Sequence, residues 1–212
     1  MWHYIPSYTP PFSKLLYISK QQKFVSCGME DKNPWEIKES RDVYQNDWIQ
    51  LTEYDVINPS GGQGIYGKVH FKNVAIGIIP LDEERNTWLV GQYRFPTDAY
   101  SWEIPEGGGP FHEEPLEAAK RELAEETGLR ASHWQLIQRM HLSNSVSDEE
   151  SIIYIATGLT AGTADPEETE ALTLRKVRFQ EAYQMVLDGI ITDSMSVAGI
   201  LKTHILIQEG KI

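Results

Sequence analysis

Runs of strand-like and helix-like hydrophobic patterning alternate along the chain and predict a mixed α/β fold. Residues 48–56 and 64–71 read as paired strands around Asn58-Pro59-Ser60-Gly61-Gly62, a strong turn signal. Residues 74–81 and 87–95 are predicted to form a second pair across a polar connection. Three further strands are predicted at residues 134–142, 151–157 and 172–177.

Three segments are predicted to be helices. The first begins at Pro115, which suits the first helical position, and ends before Gly128, which suits a left-handed cap. Residues 179–187 precede Gly189, and residues 195–208 follow a cap at Asp193 or Ser194. In the first helix, four residues recur at helical spacing and are expected to face the core: Leu116, Ala119, Leu123 and Thr127. Together the elements predict an α/β/α sandwich with a mixed sheet.

Residues 1–28 differ from the rest of the chain. They carry several prolines and scattered aromatic residues without a clear period, which favours a loosely ordered extension or one that docks on the body. The continuous apolar stretch of a signal peptide is missing. Met29 is a candidate for the true initiator, and the intact mass of the protein from its native host would test this hypothesis.

Composition narrows the class of protein. A chain of 212 residues with 41% hydrophobic residues is expected to form one packed domain with at most a small appendage. A net charge of −12 argues against a nucleic-acid binder, which needs a basic surface. Cys27 is the single cysteine, which favours a reducing cytoplasm, and no apolar run approaches the ~20 residues of a membrane span.

Three carboxylates share one face of the first predicted helix, directly after what reads as a glycine turn. Glu122, Glu125 and Glu126 fall at positions i, i+3 and i+4, where like charges repel. A solvated acidic face is the ordinary interpretation of such a trio. The alternative is a cation held by the three groups, and Mg²⁺ accepts carboxylates together with substrate phosphate oxygens.

The surrounding residues favour the second interpretation. Gly107, Glu113 and the run Arg121-Glu122-Leu123-Ala124-Glu125-Glu126-Thr127-Gly128-Leu129 resemble the box of the Nudix hydrolases, with every defining position filled. Three segments outside the box resemble the ADP-ribose and nucleotide-sugar pyrophosphatase branch, and they are Gln92 to Pro96, Trp102 to Gly107 and Ser147-Asp148-Glu149. From about residue 35 to about residue 202 the layout fits that branch.

The resemblance implies a role for each box residue. Glu122 and Glu126 are expected to bind Mg²⁺ or Mn²⁺ through their side chains, with Glu125 as a further ligand or catalytic group. The backbone carbonyl of Glu106 is expected to be another ligand, and its carboxylate, where the branch often has alanine, is expected at the mouth of the site. Four residues are expected to be structural: Gly107, Glu113, Arg121 and Gly128.

Residues outside the box are expected to complete the site. In this branch the general base often comes from a loop after the box, and that loop here contains Glu167, Glu168 and Glu170. Counting back from Ala182-Tyr183-Gln184 aligns Glu168 and Glu170 with the acidic pair of the family, and Glu170 is slightly favoured as the base. Arg94 is expected to bind the diphosphate. Glu149 resembles a substrate-binding residue, and Trp102 is expected either to stack on a base or to lie in the core.

The function that follows from the resemblance is Mg²⁺-dependent hydrolysis of ADP-ribose or a related nucleoside diphosphate sugar. A GDP-mannose or ADP-glucose pyrophosphatase is a rival, and a non-catalytic nucleotide-sensing module or a triphosphate house-cleaning enzyme is a weaker one.

The expected domain division is an extension at residues 1–28, a small β subdomain at 29–72 and a hydrolase domain at 73–212. The branch is typically homodimeric through the β subdomain. Four aromatic residues can serve that interface or the core: Trp35, Tyr44, Trp48 and Tyr54.

Overall fold

The computed structural model describes residues 32–165 and 171–212. The expectations for residues 1–28 and for the loop carboxylates Glu167, Glu168 and Glu170 therefore lie outside the described residues. The described strands are β1 (Glu36–Gln45), β2 (Ile49–Ile57), β3 (Gln63–Phe71), β4 (Asn73–Pro80), β5 (Asn86–Arg94), β6 (Ala99–Glu103), β7 (Glu106–Pro110), β8 (Leu129–His141), β9 (Glu150–Ala161) and β10 (Thr173–Arg178). The helices are α1 (Pro115–Thr127), α2 (Phe179–Leu187) and α3 (Ser194–Gln208), with a short 3-10 turn at Phe95–Thr97.

The first three strands form a separate antiparallel sheet in the order β1-β2-β3. The predicted pairing of β2 with β3 is confirmed, with Ile49 opposite Phe71 and Ile57 opposite Gln63. In the turn between β2 and β3, the side-chain oxygen of Asn58 accepts hydrogen bonds from the backbone amides of Ser60 and Gly62. Strand β1 was not predicted, because all ten of its residues are exposed and it carries no buried face to mark it.

The predicted pairing of residues 74–81 with 87–95 is wrong. Strand β4 lies in a four-stranded sheet of order β7-β4-β9-β8, whereas β5 lies in a three-stranded sheet of order β10-β5-β6. The connection between them turns the chain from one sheet into the other, and Arg85 adopts a positive φ of 60° there. Because β4 is buried along most of its length, it takes two distant partners, β9 in parallel and β7 in antiparallel orientation.

Helices cover both faces of the four-stranded sheet and create two hydrophobic layers. On one face, Ile76 and Ile78 of β4 pack with Leu123 of α1. On the other face, Ile79 of β4 packs with Ile200 of α3, together with residues of α2. The α/β/α architecture with a mixed sheet and a small N-terminal β region is therefore the observed fold. Each helix in the described residues is too short or too polar to span a bilayer.

Asp82 closes the connection between β4 and β5 and should make part of the stability pH-dependent. Burial opposes ionisation of Asp82, but hydrogen bonds from Lys176 and Asn86 outweigh it and lower the pKa to about 2. A depressed folded-state pKa contributes stability above the unfolded-state value of about 4, and this contribution is lost as pH falls toward 2. We expect Asp82→Asn to reduce the free energy of unfolding by about 1–2 kcal/mol at pH 7 and by much less at pH 2.

Urea denaturation of wild type and variant at the two pH values measures this difference. Glu83→Gln, in the same connection and exposed, is the matched control and should cost little at either pH. An equal loss for Asp82→Asn at both pH values would contradict the assignment.

Candidate active site

Local sequence signals determine where α1 begins and ends. Pro115 occupies its first turn, and Gly128 caps it in the left-handed conformation with φ 71°. Leu123 is fully buried, and Thr127 is buried beside it. This orientation turns the successive glutamates toward β7 rather than toward solvent.

The segment before α1 is a strand and not the glycine turn that the sequence predicted. Residues Gly107 to Gly109 lie within β7 and pair with Ile76 to Val74 of β4. At Gly107 a Cβ would collide with the carboxylate of Glu122, so in this arrangement glycine lets that carboxylate lie against β7. The glycines therefore allow β7 and α1 to approach until the helix carboxylates lie against the strand.

Arg121 supplies the cation that the crowded carboxylates require. Its Nη1 donates to Glu122 Oε1 at 2.7 Å and to Glu125 Oε2 at 2.9 Å. Its Nη2 donates to the carbonyl oxygen of Gly108 at 2.9 Å and to Glu113 Oε2 at 3.1 Å. The guanidinium thus joins α1, β7 and the loop that carries Glu113, as expected for a scaffold.

Loss of Arg121 should weaken metal binding without removing a proposed ligand. We expect Arg121→Ala to raise the Mg²⁺ concentration needed for half-maximal activity by about 10–100-fold, because the contacts of Arg121 with the Gly108 carbonyl and with Glu113 hold β7 and the Glu113 loop against α1. A magnesium titration of the activity measures this shift. The control is Lys120→Ala on the same helix, which removes an exposed ion pair with Glu117 and should leave the titration unchanged. An unchanged titration in Arg121→Ala would refute the positioning role.

Glu126 is the most deeply buried of the three helix glutamates. It is only 4% exposed, and its Oε2 accepts a hydrogen bond from the backbone amide of Glu106 at 2.9 Å. A buried carboxylate needs charge-compensating partners. Glu126 is therefore placed at the junction of α1 with the start of β7, next to the residue whose carbonyl was expected to bind metal.

The carboxylate set fits a hard divalent cation in its chemistry. Oxygen donors from Glu122, Glu125 and Glu126 are of the type that Mg²⁺ prefers. The Glu122 carboxylate occupies the space that Gly107 leaves beside β7. Within the described residues, however, the side chains have not converged into a preformed group of three metal ligands. Glu122 and Glu125 bind Arg121 instead, so metal binding requires these two carboxylates to reorient.

A cavity of about 580 Å³ opens beside β7 and is bordered by acidic residues and one arginine. Arg94 donates to both oxygens of Glu103 and, from Nη2, to Glu106 Oε1 at 2.7 Å. Burial disfavours the charged guanidinium, but these carboxylates raise the pKa of Arg94 above its usual value. Arg94 lines the cavity, but any phosphate that reaches it must compete with two carboxylates.

Glu106 lines the first cavity, but its side chain is largely buried there. Its side chain is 9% exposed and lies between Arg94 and Asp193. Burial, together with the negative charges of Asp193 and Glu103, raises the pKa of Glu106 well above its usual value. Asp193, one of the two residues predicted for the position, is the cap of α3 and accepts a hydrogen bond from the amide of Ser196 at 2.7 Å.

Glu149 and Trp102 occupy different surroundings. Glu149 lines the 580 Å³ cavity, and burial followed by the charge of Asp193 raises its pKa. Trp102 packs against the hydrophobic core and lies under the guanidinium of Arg175, at 5.8 Å from the ring centre to Cζ. Its neighbours in β6, Ser101 and Glu103, line the 580 Å³ cavity. Because successive side chains of a strand point to opposite faces, Trp102 points away from that cavity.

A second cavity of about 570 Å³ contains the box residues Glu113, Arg121 and Glu122. Trp48 borders both cavities and is 67% exposed, so its ring offers a free surface between them. Lys72 also lines the second cavity. Neither Trp48 nor Lys72 belongs to a recognisable sequence motif, and the sequence places Trp48 only at an interface or in the core. Their place at the cavity depends on how the β1-β2-β3 sheet meets β7, which the sequence does not show.

The loop after β8 is attached to the β1-β2-β3 sheet. Asp148 accepts a hydrogen bond from the amide of Phe71 at 3.2 Å and lies 2.9 Å from His70 Nδ1. Its Oδ2 also accepts from Lys68 at 3.1 Å. These contacts set the position of the adjacent Glu149 at the cavity.

The loop expected to hold the general base begins beside α1. The amide of Asp165 donates to the carbonyl oxygen of Glu125 at 2.9 Å, and Gly128 packs against the backbone of residues 162–164. Residues 166–170 themselves lie outside the described residues. The choice between Glu168 and Glu170 stays a prediction.

Comparisons with known proteins agree with this geometry. The NUDIX domain family matches residues 71–192, and the nucleoside diphosphate sugar hydrolase N-terminal domain matches residues 35–69. An ADP-ribose pyrophosphatase of Mycobacterium tuberculosis is 36% identical over 157 residues, which cover 71% of this chain and 74% of that protein. A CMP-5'-(N-acetyl-N-hydroxy-3-aminopropyl)phosphonate hydrolase of Streptomyces rubellomurinus is 28% identical over 167 residues, 79% of this chain and 81% of that protein. A crystal structure of an ADP compounds hydrolase superposes with a TM-score of 0.76 at 19% identity, covering 87% of this chain and all of that one, which supports the fold.

Proposed function

The chain belongs to the Nudix family and is a pyrophosphatase of that family, and from this premise we propose that it uses Mg²⁺ to hydrolyse ADP-ribose or a related nucleoside diphosphate sugar. The products are a nucleoside monophosphate and a sugar phosphate. One observation carries the proposal: the helix carboxylates Glu122 and Glu126 lie against strand β7, whose Gly107 and Gly108 line both cavities, and Glu125 lies beside them on Arg121.

The division of the site into two cavities suits a two-part substrate. The second cavity holds Glu122 and Arg121 and would receive the diphosphate beside the metal ligands. The first cavity is lined by Glu103, Glu106, Glu149 and Asp193, which favour neutral hydroxyl groups that donate hydrogen bonds. The exposed ring of Trp48 between them offers a stacking surface for a base. These three features match the three chemical parts of a nucleoside diphosphate sugar, which are the diphosphate, the sugar hydroxyls and the base.

The residues of the chain would prepare the reaction in four ways. Glu122 and Glu126, with Glu125 as a further ligand, would hold Mg²⁺, which when bound polarises phosphoryl oxygens and acidifies a water molecule. Arg121 would hold β7 and the Glu113 loop against α1 through the Gly108 carbonyl and the Glu113 carboxylate. A loop carboxylate, Glu170 or Glu168, would take the proton from the attacking water, and Arg94 would contact the diphosphate.

The exposed apolar residues of the N-terminal sheet support a homodimer. Ile37, Val43, Tyr44 and Ile65 are each more than half exposed, and they lie on strands β1 and β3. Large apolar patches on a monomer are typical of interaction surfaces. Trp35 instead packs edge-to-face on Tyr66, and Tyr54 is half-buried, so these two are partly internal.

We expect the full chain to behave as a dimer in solution. Light scattering coupled to size exclusion should give twice the chain mass of 24.2 kDa. Ile65→Asp, which places a charge on the exposed face, should return the mass to that of one chain. A wild-type protein that elutes as a single chain would refute the dimer.

The single cysteine supports a reducing cytoplasm as the place of the reaction.

A hydrolysis panel tests the proposed function. Purified protein with Mg²⁺ is incubated with ADP-ribose, ADP-glucose, GDP-mannose, UDP-glucose and 8-oxo-dGTP, and the products are separated by chromatography. A preferred diphosphate sugar that yields a nucleoside monophosphate supports the proposal and names the substrate. Preference for 8-oxo-dGTP would favour a triphosphate house-cleaning enzyme. No turnover, combined with nucleotide binding, would favour a sensing module.

A further inference from the structure

Among the described residues that line the two cavities, three have side chains that are positively charged at neutral pH. They are Arg94 in the first cavity and Lys72 and Arg121 in the second. A diphosphate group carries several negative charges and must enter an acidic protein of net charge −12. The partners of these three cations therefore decide which of them can bind it.

The two arginines are already paired with carboxylates. Arg121 binds three of them, and Arg94 binds Glu103 and Glu106. Each guanidinium is thus surrounded by more negative charge than it carries. A phosphate oxygen that approaches either arginine must displace a carboxylate or share the cation with it.

Lys72 is held differently. Its ammonium donates to the backbone carbonyl of Asn46, which is neutral, so this partner does not cancel the charge. A lysine ammonium has three donors, and this contact uses one of them. The side chain is half-buried and borders the same cavity as Glu122.

The backbone around Lys72 is also fixed. Its amide donates to the carbonyl oxygen of Trp48 at 2.9 Å, and its side chain reaches the adjacent turn at Asn46. Two contacts to the connection between β1 and β2 therefore orient the residue before any ligand arrives. A preoriented cation loses less conformational entropy on binding than a free surface lysine.

We propose that Lys72 binds the diphosphate of the substrate directly, as the cation of the site whose charge is not committed to a carboxylate. The ligand class is a phosphoanhydride or another closely spaced pair of phosphate groups. This inference rests on the proposed function, because it assigns a substrate contact within the same site.

Paired substitutions separate charge from structure. Lys72→Gln keeps a donor for the Asn46 carbonyl but removes the charge, whereas Lys72→Arg keeps the charge. The probe is the α,β-methylene analogue of the diphosphate sugar that wild type cleaves, which for ADP-ribose is α,β-methylene ADP-ribose, titrated calorimetrically with Mg²⁺ present. We expect Lys72→Gln to weaken binding by about 10–100-fold, as for loss of a charge-assisted hydrogen bond. Lys72→Arg should remain within about threefold of wild type, since only the geometry of the contact changes.

Two controls complete the experiment. Lys120→Gln removes one positive charge from the exposed side of α1 and should leave the affinity unchanged. Binding of the uncharged parent nucleoside should be equal in wild type and Lys72→Gln, whereas a folding defect would reduce the affinity for both ligands in proportion.

The outcomes separate this inference from the proposed function. The diphosphate contact is overturned if Lys72→Gln binds the analogue as tightly as wild type does. It is also overturned if Lys72→Arg loses as much affinity as Lys72→Gln and the affinity for the nucleoside falls equally. Neither result affects the hydrolysis panel, which tests the proposed function. A wild-type protein that cleaves no diphosphate compound and binds no analogue overturns the proposed function, and the Lys72 contact falls with it.

Discussion

Glu126→Gln should lower kcat for the preferred diphosphate sugar by about 1000-fold. The proposed Mg²⁺ ligand would lose its negative charge, and transition-state stabilisation by a bound metal is worth several kcal/mol, with each 1.4 kcal/mol equal to a factor of ten. The amide oxygen of glutamine can still accept the hydrogen bond that the amide of Glu106 now donates. The fold should therefore be retained while the chemistry is lost.

The matched control is Glu117→Gln, since Glu117 lies on the same helix, is exposed and pairs only with Lys120 among the contacts described. This variant should keep kcat within about twofold of wild type. Measurement of Mg²⁺ or Mn²⁺ binding by calorimetry gives a second readout, in which Glu126→Gln should bind the metal more weakly. If Glu126→Gln cleaves the substrate at the wild-type rate, Glu126 does not bind the catalytic metal.

One of the loop carboxylates should be required almost as strongly. We expect either Glu170→Gln or Glu168→Gln to lower kcat by at least about 100-fold, which is the lower range for loss of a general base. The amide of Asp165 is attached to the carbonyl of Glu125, so the loop starts beside the proposed metal ligands. The substitution preserves size and hydrogen bonding and removes the ability to accept a proton.

The pH profile distinguishes a base from a structural residue. Loss of the base should remove the acidic limb of the kcat profile, and a higher pH should restore part of the rate as hydroxide replaces the missing acceptor. Glu167→Gln in the same loop is the control that tests whether any loss of charge there reduces activity. If Glu168→Gln and Glu170→Gln both retain the wild-type rate, the base lies elsewhere.

The contacts of Arg121 and Glu126 offset the repulsion between the carboxylates of the acidic helix face. Three glutamates within one turn repel each other, but a guanidinium binds two of them and a backbone amide binds the third. The arginine therefore stabilises the site in advance. Under the proposed function, Mg²⁺ would have to replace Arg121 as the partner of Glu122 and Glu125.

The sequence alone determined the elements whose signals are local. The start and end of α1 follow from Pro115 and Gly128, and the cap of α3 follows from Asp193, because these residues act on backbone groups a few positions away. Residue spacing within the box also identified the family, which the comparisons confirmed. These features need no knowledge of distant contacts.

The tertiary structure decided what depends on distant partners. Periodicity showed that β4 and β5 are strands, but their assignment to different sheets required β7, β9 and β10. The same holds for Glu106, which is largely buried because Arg94 and Asp193 meet there. Lys72 and Trp48 reach the cavity only because the N-terminal sheet lies beside β7. Side-chain periods and caps report on neighbours along the chain, whereas a binding site is assembled from residues that only the packing of separate elements brings together.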